Sequence, residues 1–600
     1  MDRSWVLLPM LFAVSLTGAQ IASAERALPA KKLIEYGWDV PPPDFVRQHI
    51  REMEQRPFDG LIFRMPDGFG QAFTVAKWDE AKFATALEDL RAIQWGSFTD
   101  NFIVTWAAST MDWFSDEDWA TVRRNVGMMA QAAAAGRCKG LCFDPEPYGN
   151  NPWAYSEAAH RNEKSFAQYE AQVRKRGAQF MRAITARKPD AVVHTFFLLS
   201  IVRQIAADPD PAKRASLLAH HSYGLLPAFL NGMLDAAGPK VVITDGNENS
   251  YYYTEPLSYY TSYHWMRQGA LAFVAPENVP KYQSQVQVSQ ALYVDHVFNL
   301  RGPGRWLSAA LSPEDRARWF EQNVYYALAT ADEYVWCYSE KMNWWKSEGI
   351  PPGLPEAIAS ARAKIARGQP LGFDPGPALR EAEKKQRAEL ESRTTHRTAR
   401  IAPRPAGTPP PVIDGRLDDP SWQAVKPLEA FLPYAGAGGR VQAATRARVT
   451  YDDENLYIAL ECDEPAPAQI RALGSSRDDD QIWMGDSVDI FLSTGEEPSP
   501  HLHFILNPKN LHWEDFVGDG LDRQAFDPAW QSAARIGEAA WFAEIALPWK
   551  QIGIPAPRPG ERRRANLCRK RIPDNEYSCW SQTFEAFTEP ENFGAWIFGP

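Results

Sequence analysis

Cysteine is scarce in this chain, with six among 600 residues, so disulfides cannot be its main source of stability. None of Cys138, Cys142, Cys337, Cys462, Cys568 and Cys579 has the spacing of a zinc site. Sequence leaves Cys568 and Cys579 open to bridging in an oxidising compartment or to standing as buried thiols. Positive charge is in deficit: the formal net charge is -11, which argues against nucleic acid or an anionic membrane as partner. Glycine-rich phosphate loops are missing, which argues against nucleotide chemistry. His194, His264, His296 and Asp245 show no HxH or HExxH spacing, so no metal site is expected of them. The one HxH, His501-Leu502-His503, reads as one face of a strand. Long apolar runs are also missing: beyond the first residues nothing reaches the ~20 apolar residues a membrane helix needs.

The amino terminus does carry a short apolar run. Arg3, the stretch Val6 to Leu16 and the small residues Ala22-Ser23-Ala24 read as a secretory signal over residues 1–24, with the mature chain beginning near Glu25. A secreted or periplasmic, monomeric protein is expected.

Hydrophobic residues at 45% and charged residues at 23% suit a globular chain, and 600 residues exceed what one core sustains, which is about 250–300. Over residues 25–372, β-type runs alternate with longer helical patterns. The strand candidates are Ile34–Asp39, Gly60–Met65, Phe102–Ala108, Gly140–Glu146, Ala191–Leu199, Val241–Asp245, Ala291–Val297 and Tyr334–Glu340. Helices are predicted over Asp79–Gln94, Asp116–Ala135, Ser165–Arg187 and Pro313–Ala331, with Ser115 and Ser312 as N-caps and Pro313 at a first helical position. About eight βα units in this length predict a (β/α)8 TIM barrel, an α/β fold. Residues 373–411 predict a charged helix (Pro377 to Arg393) and a linker rich in Pro, Thr and Arg (Thr394 to Pro411).

Residues 412–600 read as an all-β sandwich. The segment opens Ile413-Asp414-Gly415-Arg416-Leu417-Asp418, reaches Trp422, and continues through Tyr451-Asp452-Asp453-Glu454-Asn455-Leu456-Tyr457. It then runs through Trp483-Met484-Gly485-Asp486-Ser487-Val488-Asp489, His503-Phe504-Ile505-Leu506-Asn507, Trp541 to Trp549, and Asn592-Phe593-Gly594-Ala595-Trp596. These pieces resemble the family 9 carbohydrate-binding modules over nearly the whole segment. By that resemblance Trp483 and Trp580 hold a sugar between them, Asp489, His503 and Asn507 supply polar contacts, and calcium is admitted in the module; no other cofactor is expected.

In a barrel the working groups stand at the carboxyl ends of the strands. The fourth strand ends Phe143-Asp144-Pro145-Glu146-Pro147-Tyr148, and period-2 alternation puts Asp144 and Glu146 on one face. Two carboxyl groups are the equipment of glycosidic hydrolysis, one to protonate the leaving oxygen and one to attack the sugar or activate water. Glu146 is the expected acid/base, with Asp144 raising its proton affinity through like charge. The partner carboxylate is sought among Asp245 and Glu248 after the sixth strand, Asp295 on the seventh and Glu340 on the eighth. A fourth-strand acid with a seventh-strand nucleophile resembles the large clan of retaining glycosidases, which nominates Asp295, with Glu340 next. Gly140-Leu141-Cys142-Phe143-Asp144-Pro145-Glu146 is also similar to the fourth-strand motif of the chitinase-like family, in which the substrate's acetamido group attacks.

Asp245, Glu248, Trp106, Tyr148, Trp336 and Tyr338 are the expected substrate contacts, because aromatic faces stack on sugar rings. The expectation is a secreted, retaining glycoside hydrolase acting on a poly- or oligosaccharide. The competing expectation is a polysaccharide-binding protein whose barrel has no activity.

Overall fold

Short runs of β-branched and aromatic residues become parallel strands: β1 (Lys32–Gly37), β2 (Gly60–Phe63), β3 (Phe102–Trp106), β4 (Gly140–Asp144), β5 (Val192–Thr195), β6 (Val242–Asp245), β7 (Val286–Val288), β8 (Gln290–Tyr293) and β9 (Tyr334–Ser339). They were traced in a computed structural model that describes residues 30–302, 306–393, 395–434, 440–479, 481–518, 526–584 and 586–599. The secretory signal expected at residues 1–24 lies outside the described residues.

The described residues form two compact units. The first runs to Arg301 and resumes over Leu311–Leu379; the second takes Arg380–Pro600 with Gly302–Ala310.

In the first unit the strands hydrogen-bond in the order β7-β6-β5-β4-β3-β2-β1-β9-β8. β7 and β8 are two halves of one stave, broken at Ser289. The first half pairs with β6 and the second with β9, while the Ser289 amide donates to the Asp245 carbonyl at 2.9 Å. A nearly closed (β/α)8 barrel results, as the sequence predicts. Because the stave switches partner, the seventh strand ends at Tyr293, and Asp295 lies in the single helical turn Val294–Phe298 instead of on the strand where the sequence places it.

The helices start where the caps predict. Helix Asp116–Ala135 begins after Ser115, whose hydroxyl accepts from the Asp118 amide at 3.1 Å, and three acids in its first turn face the positive end of the helix dipole. Its buried stripe, Trp119, Val122, Val126 and Met129, follows the 3–4 spacing of one helical face. Helix Pro313–Thr330 is capped by Ser312 in the same way. Helix Phe166–Thr185 lies so close to helix Leu226–Ala236 that a methyl group on Gly177 would meet the Phe229 carbonyl oxygen at 2.2 Å. Only glycine fits there.

In the second unit, an eight-stranded sheet and the four-stranded sheet Thr445–Tyr451, Asn455–Asp463, Ala540–Pro548 and Gln531–Ile536 enclose a core of Ile458, Leu460, Ile490, Leu492, Phe504, Ile545, Trp541 and Trp596. This is the predicted all-β sandwich. The charged helix forms over Gly376–Arg393, but the stretch expected to be linker contains a strand, Thr398–Ile401, paired with Gly594–Phe598. Its alternation explains why: Ala399 and Ile401 enter the core while Thr398 and Arg400 face out. The Ile413-Asp414-Gly415 motif is held by the buried Glu544, which accepts from the amides of Asp414 (3.0 Å) and Gly415 (2.7 Å) and from the Trp422 indole (2.7 Å).

The six cysteines are buried as free thiols, with Cys568 and Cys579 opposite one another on adjacent strands. No helix among the described residues is long and apolar enough to cross a membrane.

Candidate active site and sugar-binding face

Strand alternation brings Asp144 to the mouth of the barrel, fully buried, where its Oδ1 accepts the Glu146 amide at 2.8 Å. That bond turns the chain so that Glu146 is presented outward, its carboxylate exposed. The Tyr148 hydroxyl donates to Glu146 Oε2 at 2.7 Å and also acts on Asp144. A third acid joins them from another strand end: Glu248, in the short 3-10 turn Glu248–Tyr252 after β6. Burial first, and then the charge of Glu146, raise the Glu248 carboxyl to about 7. Burial holds Asp144 well above the usual carboxylate range, and Glu146 and Glu248 add to the effect. Asp144, Glu146 and Glu248 therefore lie close enough to feel one another's charge. Buried acids at a barrel mouth whose proton affinity is raised, as Asp144 and Glu248 are, mark a candidate site for acid/base chemistry.

Open grooves come up to the neighbours of these acids, Tyr148 in one and Asn247 and Asn249 in the other. On the β1–β3 side a groove of about 1150 Å³ is lined by Tyr36, Trp38, Trp78, Trp106 and Tyr148. Trp106 occupies the space beside Gly70, where any side chain would meet its ring at 2.3 Å. On the β5–β6 side a pocket of about 930 Å³ is lined by Tyr223, Asn247, Tyr253 and Trp265. Tyr223 links it to the centre: burial first, and then the charges of Glu146, Glu248 and Asp144, raise its phenol.

The other expected acids are placed differently. Asp245 is buried beneath the mouth, accepting from the amides of Leu198 (3.0 Å) and Ser200 (2.9 Å), so it shapes the loop after β5 and does not reach a substrate. Asp295 accepts the amides of Glu340 and Lys341, each at 2.8 Å, and so fixes the chain leaving β9. Glu340 is tied to the hydroxyls of Tyr293 (2.9 Å) and Tyr338 (3.2 Å) and to Arg301. Neither is presented as a free nucleophile. Trp336 is buried against Phe196, with ring centroids 4.2 Å apart, and its indole donates to the Gly246 carbonyl, so it fills the barrel. Tyr338 is half-buried and stacks on Tyr251. His194 is also interior, bonded to Thr244 Oγ1 at 2.7 Å and held by burial at about 3, so it is neutral.

On the outward face of the larger sheet in the sandwich, Asp489 Oδ1 meets His503 Nε2 at 2.9 Å, and His503 lies edge-on to Trp513. Lys570 donates to the Trp483 carbonyl at 3.1 Å and feels the charge of Asp489. Trp483 is 47% exposed, whereas Trp580 is 3% exposed and belongs to the hydrophobic core. Trp580 therefore cannot form the second wall of a sugar site. Trp513, which sequence reasoning missed, is a further aromatic ring on that face, opposite Ile505 on the neighbouring strand. Asn507 is likewise structural: its side chain holds a turn through the amides of Lys509 and Leu511. Asp478, Glu514 and Asp527 bring carboxylate oxygens within 4.8 Å of one another. Arg477 pairs with all three, so a guanidinium already supplies the charge that calcium would bring there, and the three residues do not fit a calcium site.

Trp483→Ala is expected to weaken sugar binding by the whole chain about tenfold without moving its melting temperature, whereas Trp580→Ala lowers the melting temperature. Isothermal calorimetry with an oligosaccharide, alongside thermal denaturation, checks both.

Residues 413–594 match the family model described as "Carbohydrate family 9 binding domain-like", and the C-terminal segment is a domain of that kind. No curated relative matches the chain. Among solved structures, a family 9 carbohydrate-binding module from Caldicellulosiruptor kristjanssonii in complex with cellotriose is similar at 16% identity, over 34% of this chain and 94% of that one, with a TM-score of 0.24. A trimodular endoglucanase of subfamily GH5_4 is similar at 9% identity over 92% of this chain and 98% of that one, TM-score 0.34. A glucosidase from Croceicoccus marinus is similar at 10% identity over 87% and 96%, TM-score 0.30. The fold assignment rests on the strand order itself.

Proposed function

We propose that the chain is an exported glycoside hydrolase that cleaves O-glycosidic bonds within a poly- or oligosaccharide and carries a family 9-like module that holds the same polymer. The observation that carries this reading is the electrostatic coupling of Glu146 and Glu248 at the barrel mouth, between two open grooves.

Glu248, protonated near neutrality, gives its proton to the glycosidic oxygen as the bond to the leaving sugar breaks. A carboxylate oxygen of Glu146, oriented by Tyr148, attacks the anomeric carbon and forms an ester. Water, deprotonated by the Glu248 carboxylate, then displaces Glu146 and restores both groups. This route retains the anomeric configuration and needs the two carboxyl groups about 5–5.5 Å apart. It reverses the role the sequence suggests for Glu146, because Glu248 is the more buried of the two. Grooves on both sides of the acids suit sugar units on either side of the scissile bond, and hence internal cleavage.

Incubating the full chain with a panel of polysaccharides, and following the first-formed anomer by proton NMR, tests the reading. Retained anomers and a spread of oligosaccharide lengths are expected. Inverted anomers would sink the double displacement, and no turnover on any glycan would leave the barrel as a binding domain.

A further inference from the structure

The pocket on the β5–β6 side holds a cation that the proposed hydrolysis does not use. Arg203 lines it, in the 3-10 segment Leu199–Ala207, and is half-buried. Among the described residues it makes no hydrogen bond or ion pair. The acid nearest in sequence, Asp208, is taken by Lys213 at 3.4 Å and by the Asp210 amide at 2.9 Å. Arg203 is not among the charges that act on Glu248 or Tyr223, so it is not their counter-ion. A guanidinium drawn partly out of water into a concave site, with no anion beside it, carries a desolvation cost that a bound anion would offset.

The rest of the lining suits a sugar. Tyr223, Tyr253 and Trp265 offer aromatic faces for a pyranose ring. His221 accepts the Tyr223 amide on Nδ1 at 3.0 Å, which leaves Nε2 as the N–H donor, and burial lowers its proton affinity so that the ring is neutral. The single strong charge in this lining is therefore Arg203, whose planar fork matches the paired oxygens of a carboxylate or a sulfate.

We propose that this pocket is a subsite for a sugar unit bearing an anionic substituent, a uronic carboxylate or a sulfate ester, gripped by Arg203. The inference rests on the hydrolase reading only in taking the chain's ligand to be a glycan that crosses the acids, since Tyr223 belongs to both the pocket and the centre.

The test uses the full chain, Arg203→Ala and Arg203→Lys. The substrates are a uronic-acid glycan with its carboxyl-reduced counterpart, and a sulfated glycan with its desulfated counterpart. The parent is expected to favour one anionic glycan over its neutralised counterpart by about tenfold or more in kcat/KM. Arg203→Ala loses about 10- to 100-fold on the anionic glycan, becomes indifferent between the two, and leaves the neutral one nearly unchanged; Arg203→Lys recovers part of the loss. The pair that responds identifies the anion. Equal or better cleavage of the neutral glycans, or a preference that survives Arg203→Ala, overturns the proposal. If the parent cleaves nothing, calorimetric binding of the same pairs decides separately: binding that depends on Arg203 sustains the subsite while the hydrolase reading fails, and binding indifferent to Arg203 removes both.

Discussion

Glu248→Gln is expected to lower kcat/KM on the best glycan by about 10²–10⁴-fold, the usual contribution of a positioned proton donor. Gln keeps the size and hydrogen-bonding reach of the side chain but has no proton to give, so the loss should fall on kcat more than on KM. Glu146→Gln should cost at least as much, because no attacking oxygen remains. The two losses should not add, since both residues serve one displacement. Asp295→Asn separates this scheme from the one the sequence suggests. Asp295 accepts two backbone amides, so its loss should loosen the loop after β9 and lower stability with a smaller effect on turnover. Near-wild-type turnover by Glu248→Gln, with abolition by Asp295→Asn, would return the nucleophile to the seventh strand. Steady-state kinetics on the three variants, with far-UV circular dichroism to verify folding, decides between them.

Most of the barrel was legible because its signals are local. Ser115 caps the helix that follows it, and Gly140 starts β4 where a side chain would collide with the Val192 carbonyl oxygen at 1.9 Å. The fourth-strand acids were found because period-2 alternation and strand ends are also local. What failed depends on long-range packing. The run from Ala291 to Val294 is apolar, and nothing in it reveals that the stave changes partner at Ser289 and that the chain coils at Val294. Trp580 was nominated by the family resemblance, yet long-range packing places it in the hydrophobic core. Thr398–Ile401 does alternate, but four residues beside many prolines and charges gave little weight to that pattern. Glu248 stood among the candidate partners of Glu146, but nothing in the sequence set it apart from Asp245, Asp295 and Glu340.

The second large effect concerns stability and its dependence on pH. Glu248 titrates at about 7 in the fold against about 4.3 in an unfolded chain. The folded state therefore binds the proton more tightly, so this group's contribution is fully present below about pH 4.3 and is lost as pH rises to and through 7. The difference amounts to roughly 4 kcal/mol. Asp144 and Glu35 add to the same slope, since both are buried and raised, Glu35 chiefly by desolvation and then by its neighbour Asp39. Glu248→Gln removes the ionisation and nothing else of similar size. The variant and the parent should unfold with nearly equal free energy near pH 4, and the variant should be more stable by roughly 4 kcal/mol at pH 8. A residue kept for structure would behave in the opposite way, with the substitution destabilising at every pH. Calorimetric unfolding of both chains from pH 4 to pH 8 tests this, and parallel curves would sink the placement of Glu248 as a buried acid held for chemistry at the expense of stability.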